Sequence, residues 1–465
     1  MVFKVFNTLT KKIEVFKPIK DRKVNMFVCG ITPYNFAHIG NLKTFTQFDI
    51  IAKYLRYKGF DLFYLQNVTD IDDKIINKSR EEKLEALELA KKYEKIFHEH
   101  MDLLGIDSIN KFARASEHIP EIIQQVQRLL DKGFAYITDD GIYFEVNKFG
   151  GYGKLSQQPL DQIKEGARVE VNENKKNPED FVLWKKQKPD EPFWDAVFEA
   201  DNKKIKIPGR PGWHIEDTAI TEHFFGPQYD LHGGAVDLIF PHHEAEIAQQ
   251  EASSGKIPFV KYWIHTAFLN INEEKMSKSL GNFFTLPEIL DKGHKPKAIR
   301  YLFISVNYRQ PMNFTFESLE YAQNAVDRIN TFYNSLEKKS KKDNTKIPTL
   351  VNLLLGRFEE AMDNDLNSSE ALSEVFIFIR KVNKLKLSEN NVEMIRKAFK
   401  KLDSVLGILE EQYVKPPEYI EDLIEEREKA RKSKDFSKAD LIRKTIEDKG
   451  YILEDTDKGA RVKKK

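Results

Sequence analysis

Apolar and polar positions follow two different periods along the first part of the chain. Residues 24–31 form a short apolar run that ends near Gly30 and predicts a buried strand leading into a turn, and residues 61–68 predict a second strand. Residues 44–57 between them have helical spacing, and polar residues 69–74 come directly after the second strand. A strand, a loop of small residues and a helix form the first half of a nucleotide-binding unit, in which ligands bind beyond the carboxyl ends of the strands.

The pattern changes in the middle of the chain. Helices are predicted over residues 83–104 and 120–131, and apolar residues then alternate between residues 135 and 166, which predicts a small β-rich insertion. Apolar runs over residues 236–240, stopped by Pro241, and over residues 260–269 predict two further strands. We therefore predict an α/β fold with a doubly wound, parallel-sheet, Rossmann-like catalytic domain that is split by an insertion.

The second half of the chain is mainly helical in period. Residues 316–410 predict a helical bundle, broken at residues 338–348, where a run of lysines predicts a solvated linker. The tail predicts a charged helix up to Arg431, a second helix over residues 436–449, and a short strand over residues 451–453 before a basic terminus.

Composition narrows the class of protein. A chain of 465 residues is long enough for about three domains. The formal net charge of +1 argues against a general polyanion binder, but 74 basic residues permit local basic surfaces, so nucleic acid stays open as a partner. Cys29 is the only cysteine, which excludes an intramolecular disulfide and fits a reducing compartment. Because no segment approaches the roughly 18 apolar residues of a membrane span, we expect a cytoplasmic protein with no membrane partner.

His242 and Glu246 follow Pro241 at a spacing of four residues. If Pro241 lies in the first turn of a helix, where its missing N–H costs little, the two side chains share one helix face and can meet at a single ion. The competing interpretation is that the pair is solvated, and that His243 and Glu244 are ordinary helix-surface residues.

Two motifs indicate a specific chemistry. The first is His38-Ile39-Gly40-Asn41 at a predicted helix start, and the second is Lys275-Met276-Ser277-Lys278-Ser279. Taken singly, they could be a helix cap and a flexible lysine loop. Together and in this order they resemble the two signatures of class I aminoacyl-tRNA synthetases. A helix N-terminus with His38 and Asn41 suits ATP phosphates, and lysines on a small-residue loop can close over departing pyrophosphate.

The resemblance extends to one family. The blocks at residues 67–75, 209–216, 232–249 and 430–443 closely resemble cysteinyl-tRNA synthetase, and the similarity runs from end to end. It implies a ligase that activates L-cysteine with ATP and magnesium to cysteinyl-adenylate. The cysteinyl group is then transferred to the 3′ terminal ribose of cysteine tRNA, and we expect the enzyme to be a monomer.

The resemblance also implies roles for individual residues. One zinc ion per chain, which binds the substrate thiolate, would be held by Cys29, Asp217, His242 and Glu246. The cysteine pocket would be lined by Thr69, Trp213 and His232, and the adenosine would lie beside Gly233, Gly234 and Asp237. ATP would also contact His38, Gly40, Asn41 and Lys278, and the catalytic residues would be His38, Asn41, Lys275 and Lys278.

Some positions depart from the family pattern. Asp217 stands where the family has its second zinc cysteine, so it either ligates zinc directly or hydrogen-bonds His242 or Glu246 and leaves three protein ligands. Asn41 replaces the last histidine of its signature, but an amide can also donate to phosphate. Residues 195–208 are longer and more charged than in the family and predict a surface hairpin. Val462 stands where relatives often carry tryptophan.

The implied domains are residues 1–118 with 195–265 for catalysis, 119–194 as the insertion, 266–315 with the lysine loop, 316–410 as the bundle and 411–465 for anticodon binding. One rival is a paralogue that attaches cysteine to an amino sugar, although that type lacks the tail module. Another is a non-catalytic tRNA-binding relative, against which His38, Lys275 and Lys278 argue.

Overall fold

A computed structural model describes residues 2–158, 174–275, 282–410, 416–433, 435–456 and 459–464. The first part of the chain contains β1 (Lys4–Asn7), β2 (Lys12–Val15), β3 (Lys23–Ile31), α1 (Ile39–Tyr57), β4 (Asp61–Val68), α2 (Asp73–Glu82), α3 (Ala86–Leu103) and β5 (Lys111–Arg114). The strand over residues 61–68 is therefore confirmed. Helix α1 begins earlier than its apolar spacing predicts, because His38 caps it by accepting a hydrogen bond at Nδ1 from the backbone N–H of Asn41 (3.2 Å).

The β-rich part that follows forms its own small sheet. It contains α4 (Ile119–Asp131), β6 (Ala135–Ile137), β7 (Gly141–Phe144), β8 (Phe181–Lys186), β9 (Val197–Ala200), β10 (Lys203–Lys206) and β11 (Gly209–Pro211). Strands β11, β8, β7 and β6 pair antiparallel in that order. Strands β9 and β10 form the hairpin predicted near residues 195–208. Strand β11 thus pairs with the inserted sheet, although it lies beyond the predicted end of the insertion.

The chain then returns to the first sheet through α5 (Ile215–Phe225), β12 (Tyr229–Ala235), α6 (Glu244–Ser254) and β13 (Val260–Thr266). The strand predicted over residues 236–240 is wrong. The strand ends at Ala235, and Val236–Leu238 form a short helical turn. A short apolar run cannot distinguish a strand from a turn by periodicity alone.

Five of these strands form one parallel sheet in the order β13-β12-β3-β4-β5. The chain winds outward from β3 in both directions, which is the doubly wound Rossmann arrangement, and the predicted fold class is confirmed. Successive side chains of β3 point to opposite faces of the sheet. Met26 packs in the cluster that contains Phe48 of α1, whereas Phe27 packs in the cluster that contains Ile247 of α6.

The remaining elements extend from this sheet. They are β14 (Leu269–Ile271), β15 (Glu274–Lys275), α7 (Leu286–Leu290), α8 (Pro296–Ile304), β16 (Met312–Phe314), α9 (Phe316–Ser335), α10 (Lys346–Asp363), α11 (Ser368–Val382), α12 (Glu389–Leu406), α13 (Glu418–Lys432), α14 (Phe436–Asp448), β17 (Tyr451–Thr456) and β18 (Gly459–Lys464). The last two strands form an antiparallel hairpin, so the tail has one strand more than its pattern predicted. None of the helices in the described ranges has the length and apolar composition that crossing a membrane requires.

A buried ion pair joins the sheet domain to the helices that follow it. Arg300 of α8 donates from Nη2 to Asp49 Oδ2 of α1 (2.6 Å) and from Nε to the carbonyl of Leu406 at the end of α12 (2.6 Å). Both charged side chains are fully buried. The apolar cluster around α1 continues into this helical region, where it includes Phe358 of α10.

Candidate active site and metal centre

A cavity of about 350 Å³ lies beyond the carboxyl ends of β3 and β12. These two strands are neighbours at which the chain changes its winding direction, and such switch points bind the ligand in open α/β sheets. The cavity wall brings together most of the residues that the sequence motifs pointed to. They are Cys29, His38, Gly40, Asn41, Thr69, Trp213, Asp217, Asp237 and His242.

The N-terminus of α1 forms one end of the cavity. His38 caps the helix, and the backbone N–H of Ile39 donates to the carbonyl of Phe284 (3.0 Å). The first turn of the helix contains no acidic residue. The positive end of the helix dipole and the side chains of His38 and Asn41 therefore face the same space, where an anionic group such as phosphate would be stabilised.

Four potential metal ligands converge at the other end. Cys29 lies near the end of β3, Asp217 lies in the first turn of α5, and His242 and Glu246 lie before and within α6. One ligand atom from each of these four buried residues lies within 4.8 Å of the others. His242 Nε2 is 3.0 Å from Asp217 Oδ2 and 3.0 Å from Glu246 Oε1, so the pair spaced by four residues does meet.

A second set of donors shares Cys29 and Glu246 but uses His232 and His243. The Cys29 Sγ atom lies 3.1 Å from His243 Nε2 and 3.3 Å from His232 Nε2. The other ring nitrogen of each histidine already has a partner: Tyr229 for His232 (2.6 Å) and His265 for His243 (2.8 Å). Neither histidine lines the cavity. His232, expected in the cysteine pocket, thus lies directly behind Cys29.

The interpretation of His243 and Glu244 as helix-surface residues is wrong, because both are fully buried. Helix α6 lies between the sheet and the inserted domain, so polar side chains on it face protein instead of solvent. Glu244 accepts backbone hydrogen bonds from Gly153 (3.0 Å) and Leu155 (2.6 Å) of the insertion. These partners are distant in sequence, and helical spacing gives no sign of them.

The donor chemistry of the cluster fits a divalent cation. Burial raises the pKa of the Cys29 thiol, and the nearby Glu246 and Asp217 carboxylates raise this pKa further. Burial and the Asp217 carboxylate likewise raise the pKa of Glu246. Among the described residues Glu246 Oε2 has no hydrogen-bond partner, although it is buried. A bound cation would both neutralise these crowded anionic groups and satisfy the orphaned oxygen.

Three buried polar residues that we did not predict hold the cluster in place. Asn67 donates from Nδ2 to Asp217 Oδ1 (2.5 Å) and accepts at Oδ1 from the backbone N–H of Gly30 (2.6 Å). His214 Nδ1 lies 2.8 Å from His242 Nδ1. Glu216 accepts a hydrogen bond from the Thr69 hydroxyl. All three lie inside the sequence blocks that carry the family resemblance, which was the one signal that could have indicated them.

Trp213 covers the four candidate metal ligands on the cavity side. Its indole ring stacks on the imidazole of His242, with centroids 4.3 Å apart and an interplanar angle of 19°. The Trp213 side chain is still 41% exposed, because it faces the open space. Together with Thr69 it lines the part of the cavity next to the candidate ligands.

The two glycines of β12 face neighbouring rings. A Cβ atom on Gly233 would lie 2.3 Å from the Phe48 ring, and one on Gly234 would lie 2.8 Å from the His243 ring. Packing against these rings therefore leaves no room for a side chain larger than that of glycine at either position. Neither glycine lines the cavity. Asp237, in the turn after β12, is exposed at the cavity.

The lysine motif is described only at its edge. Lys275 ends β15, where its backbone pairs with Asn270, and Lys278 lies outside the described residues. The segment that follows returns to the cavity. Phe283 contacts the His38 ring edge-on, with centroids 5.5 Å apart, and Thr285 forms an isolated bridge with His38. The segment after the lysine motif therefore contacts His38 of the first motif at the start of α1.

Comparisons with known proteins agree with this geometry. A family model described as the catalytic domain of class I (C) tRNA synthetases matches residues 15–324, and a DALR domain model matches residues 357–410. The chain is 45% identical to a cysteine–tRNA ligase of Thermoplasma volcanium over 97% of each chain. It is 41% identical to a cysteine–tRNA ligase of Caldicellulosiruptor saccharolyticus over 99% of each chain.

Solved structures support the fold. A Mycobacterium tuberculosis methionyl-tRNA synthetase in complex with methionyl-adenylate matches with a TM-score of 0.58 at 14% identity, covering 82% of this chain and 89% of that one. An Agrobacterium radiobacter LeuRS–tRNA–LeuAMS complex matches with a TM-score of 0.61 at 9% identity, covering 84% and 85%.

Proposed function

Because the chain belongs to the class I cysteinyl-tRNA synthetase family, whose members are ligases that form aminoacyl-tRNA, we propose that its cavity selects L-cysteine through a zinc ion. The ion would be held by Cys29, Asp217, His242 and Glu246. When bound, zinc supplies a Lewis acid that takes a thiolate ligand far more readily than a hydroxyl, which separates cysteine from serine. The observation that carries the proposal is the convergence of these four buried donors at one end of the cavity.

The position of the cavity favours this set over the set with His232 and His243. A metal that receives a substrate ligand needs a side open to the substrate. Asp217 and His242 line the cavity together with Cys29, whereas His232 and His243 do not. An ion between Cys29, Asp217 and His242 is therefore accessible to a substrate thiol.

The surroundings of Asp217 favour direct ligation. His242 Nε2 lies 3.0 Å from Asp217 Oδ2 and 3.0 Å from Glu246 Oε1. Tetrahedral zinc ligands about 2.1 Å from the ion lie about 3.4 Å apart, which is close to that spacing. The far atoms of two ligands are fixed by outer partners: Asn67 holds Asp217 Oδ1 and His214 faces His242 Nδ1. Such outer partners are characteristic of metal ligands.

The activation of cysteine by ATP would take place at the α1 end of the cavity. The carboxylate oxygen of cysteine attacks the α-phosphorus of ATP, a new P–O bond forms, and the bond to the departing pyrophosphate breaks. His38, Asn41 and the N-terminus of α1 would stabilise the negative charge on the phosphate oxygens, with Gly40 leaving room for adenine. On the motif alone, we assign Lys275 and Lys278 to the pyrophosphate. Magnesium would accompany ATP, as it does in other phosphoryl-transfer sites.

The nucleoside and the amino acid would lie along the cavity between these two ends. We assign Asp237 to the ribose hydroxyls and the β12 segment with Gly233 and Gly234 to the adenosine side. Thr69 and Trp213 would enclose the cysteine side chain, while His232 would act from behind Cys29. A hydroxyl of the 3′ terminal ribose of cysteine tRNA would then attack the carbonyl carbon of the adenylate and release AMP.

The remaining assignments concern the whole chain. Residues 1–118 with 195–265 would form the catalytic domain, 119–194 the insertion, 266–315 the lysine-loop region, 316–410 the bundle and 411–465 the anticodon-binding domain. Every proposed ligand comes from one chain, so a monomer suffices for activity. A single buried cysteine required in its thiolate form suits a reducing compartment such as the cytoplasm.

Amino-acid-dependent exchange between ATP and labelled pyrophosphate tests the proposal. We expect exchange with L-cysteine and a kcat/KM for L-serine that is lower by about 10⁴-fold, because serine cannot replace the lost metal–sulfur bond. Serine is the matched control, since it differs from cysteine in one atom. Absence of exchange with cysteine would contradict the activity, and comparable exchange with serine would contradict selection by a metal–thiolate bond.

A further inference from the structure

A second cluster of metal-ligating side chains lies outside the cavity. His118 directly precedes the first residue of α4, Glu121 lies in the first turn of that helix, and His223 lies in the last turn of α5. One ligand atom from each residue lies within 4.8 Å of the others. None of the three belongs to the proposed zinc centre.

The cluster is organised around the Glu121 carboxylate. Glu121 Oε1 lies 3.1 Å from His223 Nδ1 and 3.8 Å from His118 Nδ1. The two imidazole rings have centroids 5.3 Å apart and are tilted by 58° to each other, and Phe224 packs edge-on against His118. Tetrahedral ligands around a zinc-sized ion are separated by about 3.4 Å, so small rotations of these side chains would complete the coordination.

Two buried polar atoms in the cluster have no partner. His118 is only 7% exposed, yet its Nδ1 makes no hydrogen bond within the described ranges. Glu121 Oε2 is also buried without a hydrogen-bond partner there. Unpaired buried polar atoms are costly, and both of these belong to side chains that converge on one point. A cation at that point would satisfy them.

We propose that His118, Glu121 and His223 form a second site for a divalent transition-metal ion. Two imidazoles and one carboxylate, with no thiolate, suit Zn²⁺, Co²⁺ or Ni²⁺ and are a poor match for the all-oxygen coordination of Mg²⁺ or Ca²⁺. His223 is 45% exposed at its side chain, so ions can enter from solvent and water can complete the coordination.

The site would join α4 to α5, the helix whose first turn lines the catalytic cavity through Asp217. Helix α5 carries Asp217 in its first turn and His223 in its last turn, six residues apart and roughly 9 Å along the axis. Helix α4 belongs to the inserted domain. A metal bridge between them would fix the far end of the helix that presents Asp217, so we expect it to stabilise the fold without contacting substrate.

Zinc counting after equilibrium dialysis against micromolar Zn²⁺ tests the proposal on the full-length protein. The wild type should bind two equivalents, and His223→Ala and Glu121→Gln should each bind one. His98→Ala is the matched control. His98 likewise contacts a glutamate, Glu94, at 3.4 Å, but it belongs to no cluster of three donors in the described ranges. It should keep two equivalents.

A second readout distinguishes this site from the proposed zinc centre. His223→Ala should keep cysteine-dependent pyrophosphate exchange, whereas Asp217→Ala should lose the other zinc equivalent and the exchange. Added Zn²⁺ should raise the melting temperature of the wild type and of His98→Ala more than that of His223→Ala, since binding to the folded state stabilises it. The second site would be overturned if the wild type bound a single zinc equivalent that Asp217→Ala removes. It would also be overturned if His223→Ala and Glu121→Gln both kept two equivalents.

Discussion

Asp217 Oδ2 lies 3.0 Å from Nε2 of His242, and its other carboxylate oxygen is held by the Asn67 amide at 2.5 Å. An acidic side chain with one oxygen fixed and the other directed at a second candidate ligand is arranged as a metal ligand would be. The departure from the two-cysteine pattern of the family therefore has a structural counterpart. In the proposed zinc centre, Asp217 would supply a harder oxygen donor where the family has a thiolate.

Substituting Asp217 should separate direct ligation from an outer role. Asp217→Ala should lose the zinc equivalent bound at the cavity and weaken cysteine-dependent exchange by more than 100-fold. Losing an outer partner alone typically costs 10- to 100-fold. Asp217→Cys should retain zinc, because a thiolate is a good ligand at that position. Metal content and exchange kinetics measure both effects. Unchanged zinc content in Asp217→Ala would contradict direct ligation.

The two adjacent histidines should respond differently. His242→Ala removes a ligand that lines the cavity and should remove the zinc equivalent bound there. His243→Gln should keep zinc and lose activity by no more than about 100-fold, because His243 contacts the Cys29 sulfur at 3.1 Å from behind and would act as an outer partner. Zinc content of the two purified variants provides the comparison. Loss of zinc in His243→Gln with retention in His242→Ala would favour the alternative donor set.

The fold was predictable to the extent that local patterns decide it. The strand over residues 61–68 and the hairpin near residues 195–208 follow from alternation and turn residues. The apolar run at residues 236–240 misled the prediction because short apolar runs occur in turns as well as in strands, and none of residues 236–238 is buried here. Its polar continuation was also misread, since helix α6 buries His243 and Glu244 against distant parts of the chain.

The candidate site was predictable where a spacing or a motif carried it. Four-residue spacing predicted that His242 and Glu246 meet, and they do so at 3.0 Å. The residues that orient the ligands gave no such pattern. Asn67 lies after a different strand, and it reaches Asp217 only because parallel strands and a helix N-terminus come together at one edge of the sheet. Contacts of this kind depend on the tertiary fold.

The buried ion pair of Arg300 and Asp49 should be important for stability. Arg300→Met would leave the buried Asp49 carboxylate with Lys53 (2.9 Å) as its remaining charged partner, and should lower the free energy of unfolding by about 3 kcal/mol, the low end of the range for a broken buried pair. Arg357→Ala is the control, because Arg357 forms an exposed pair with Glu360 and should cost less than about 1 kcal/mol. Urea denaturation of the three proteins gives these differences.

The double variant Arg300→Met/Asp49→Asn sharpens that result. Removing both charges avoids a buried carboxylate that has lost one of its two charged partners, so the double variant should recover part of the stability lost in Arg300→Met. A single variant as stable as the wild type would contradict the role assigned to the pair.

The tail should be needed for tRNA and dispensable for activation. Its described apolar core consists of residues within 420–462, among them Ile420, Ile446 and Val462, and it shares none of these with the clusters of the sheet domain or the bundle. Deleting residues 411–465 should therefore keep pyrophosphate exchange while reducing charging of cysteine tRNA at least 100-fold. Full charging of cysteine tRNA by the shortened chain would contradict the anticodon-binding assignment.

The central claim is that the substrate sulfur bonds to a metal held by the cavity-lining donors. X-ray absorption at the zinc edge of His223→Ala, which should hold zinc only at the cavity, tests it most directly, because Cys29 is the only cysteine of the chain and supplies a single protein sulfur ligand. We expect one sulfur at about 2.3 Å from zinc without substrate and two when L-cysteine is bound, with serine leaving the count at one. A count that stays at one with saturating cysteine would contradict it.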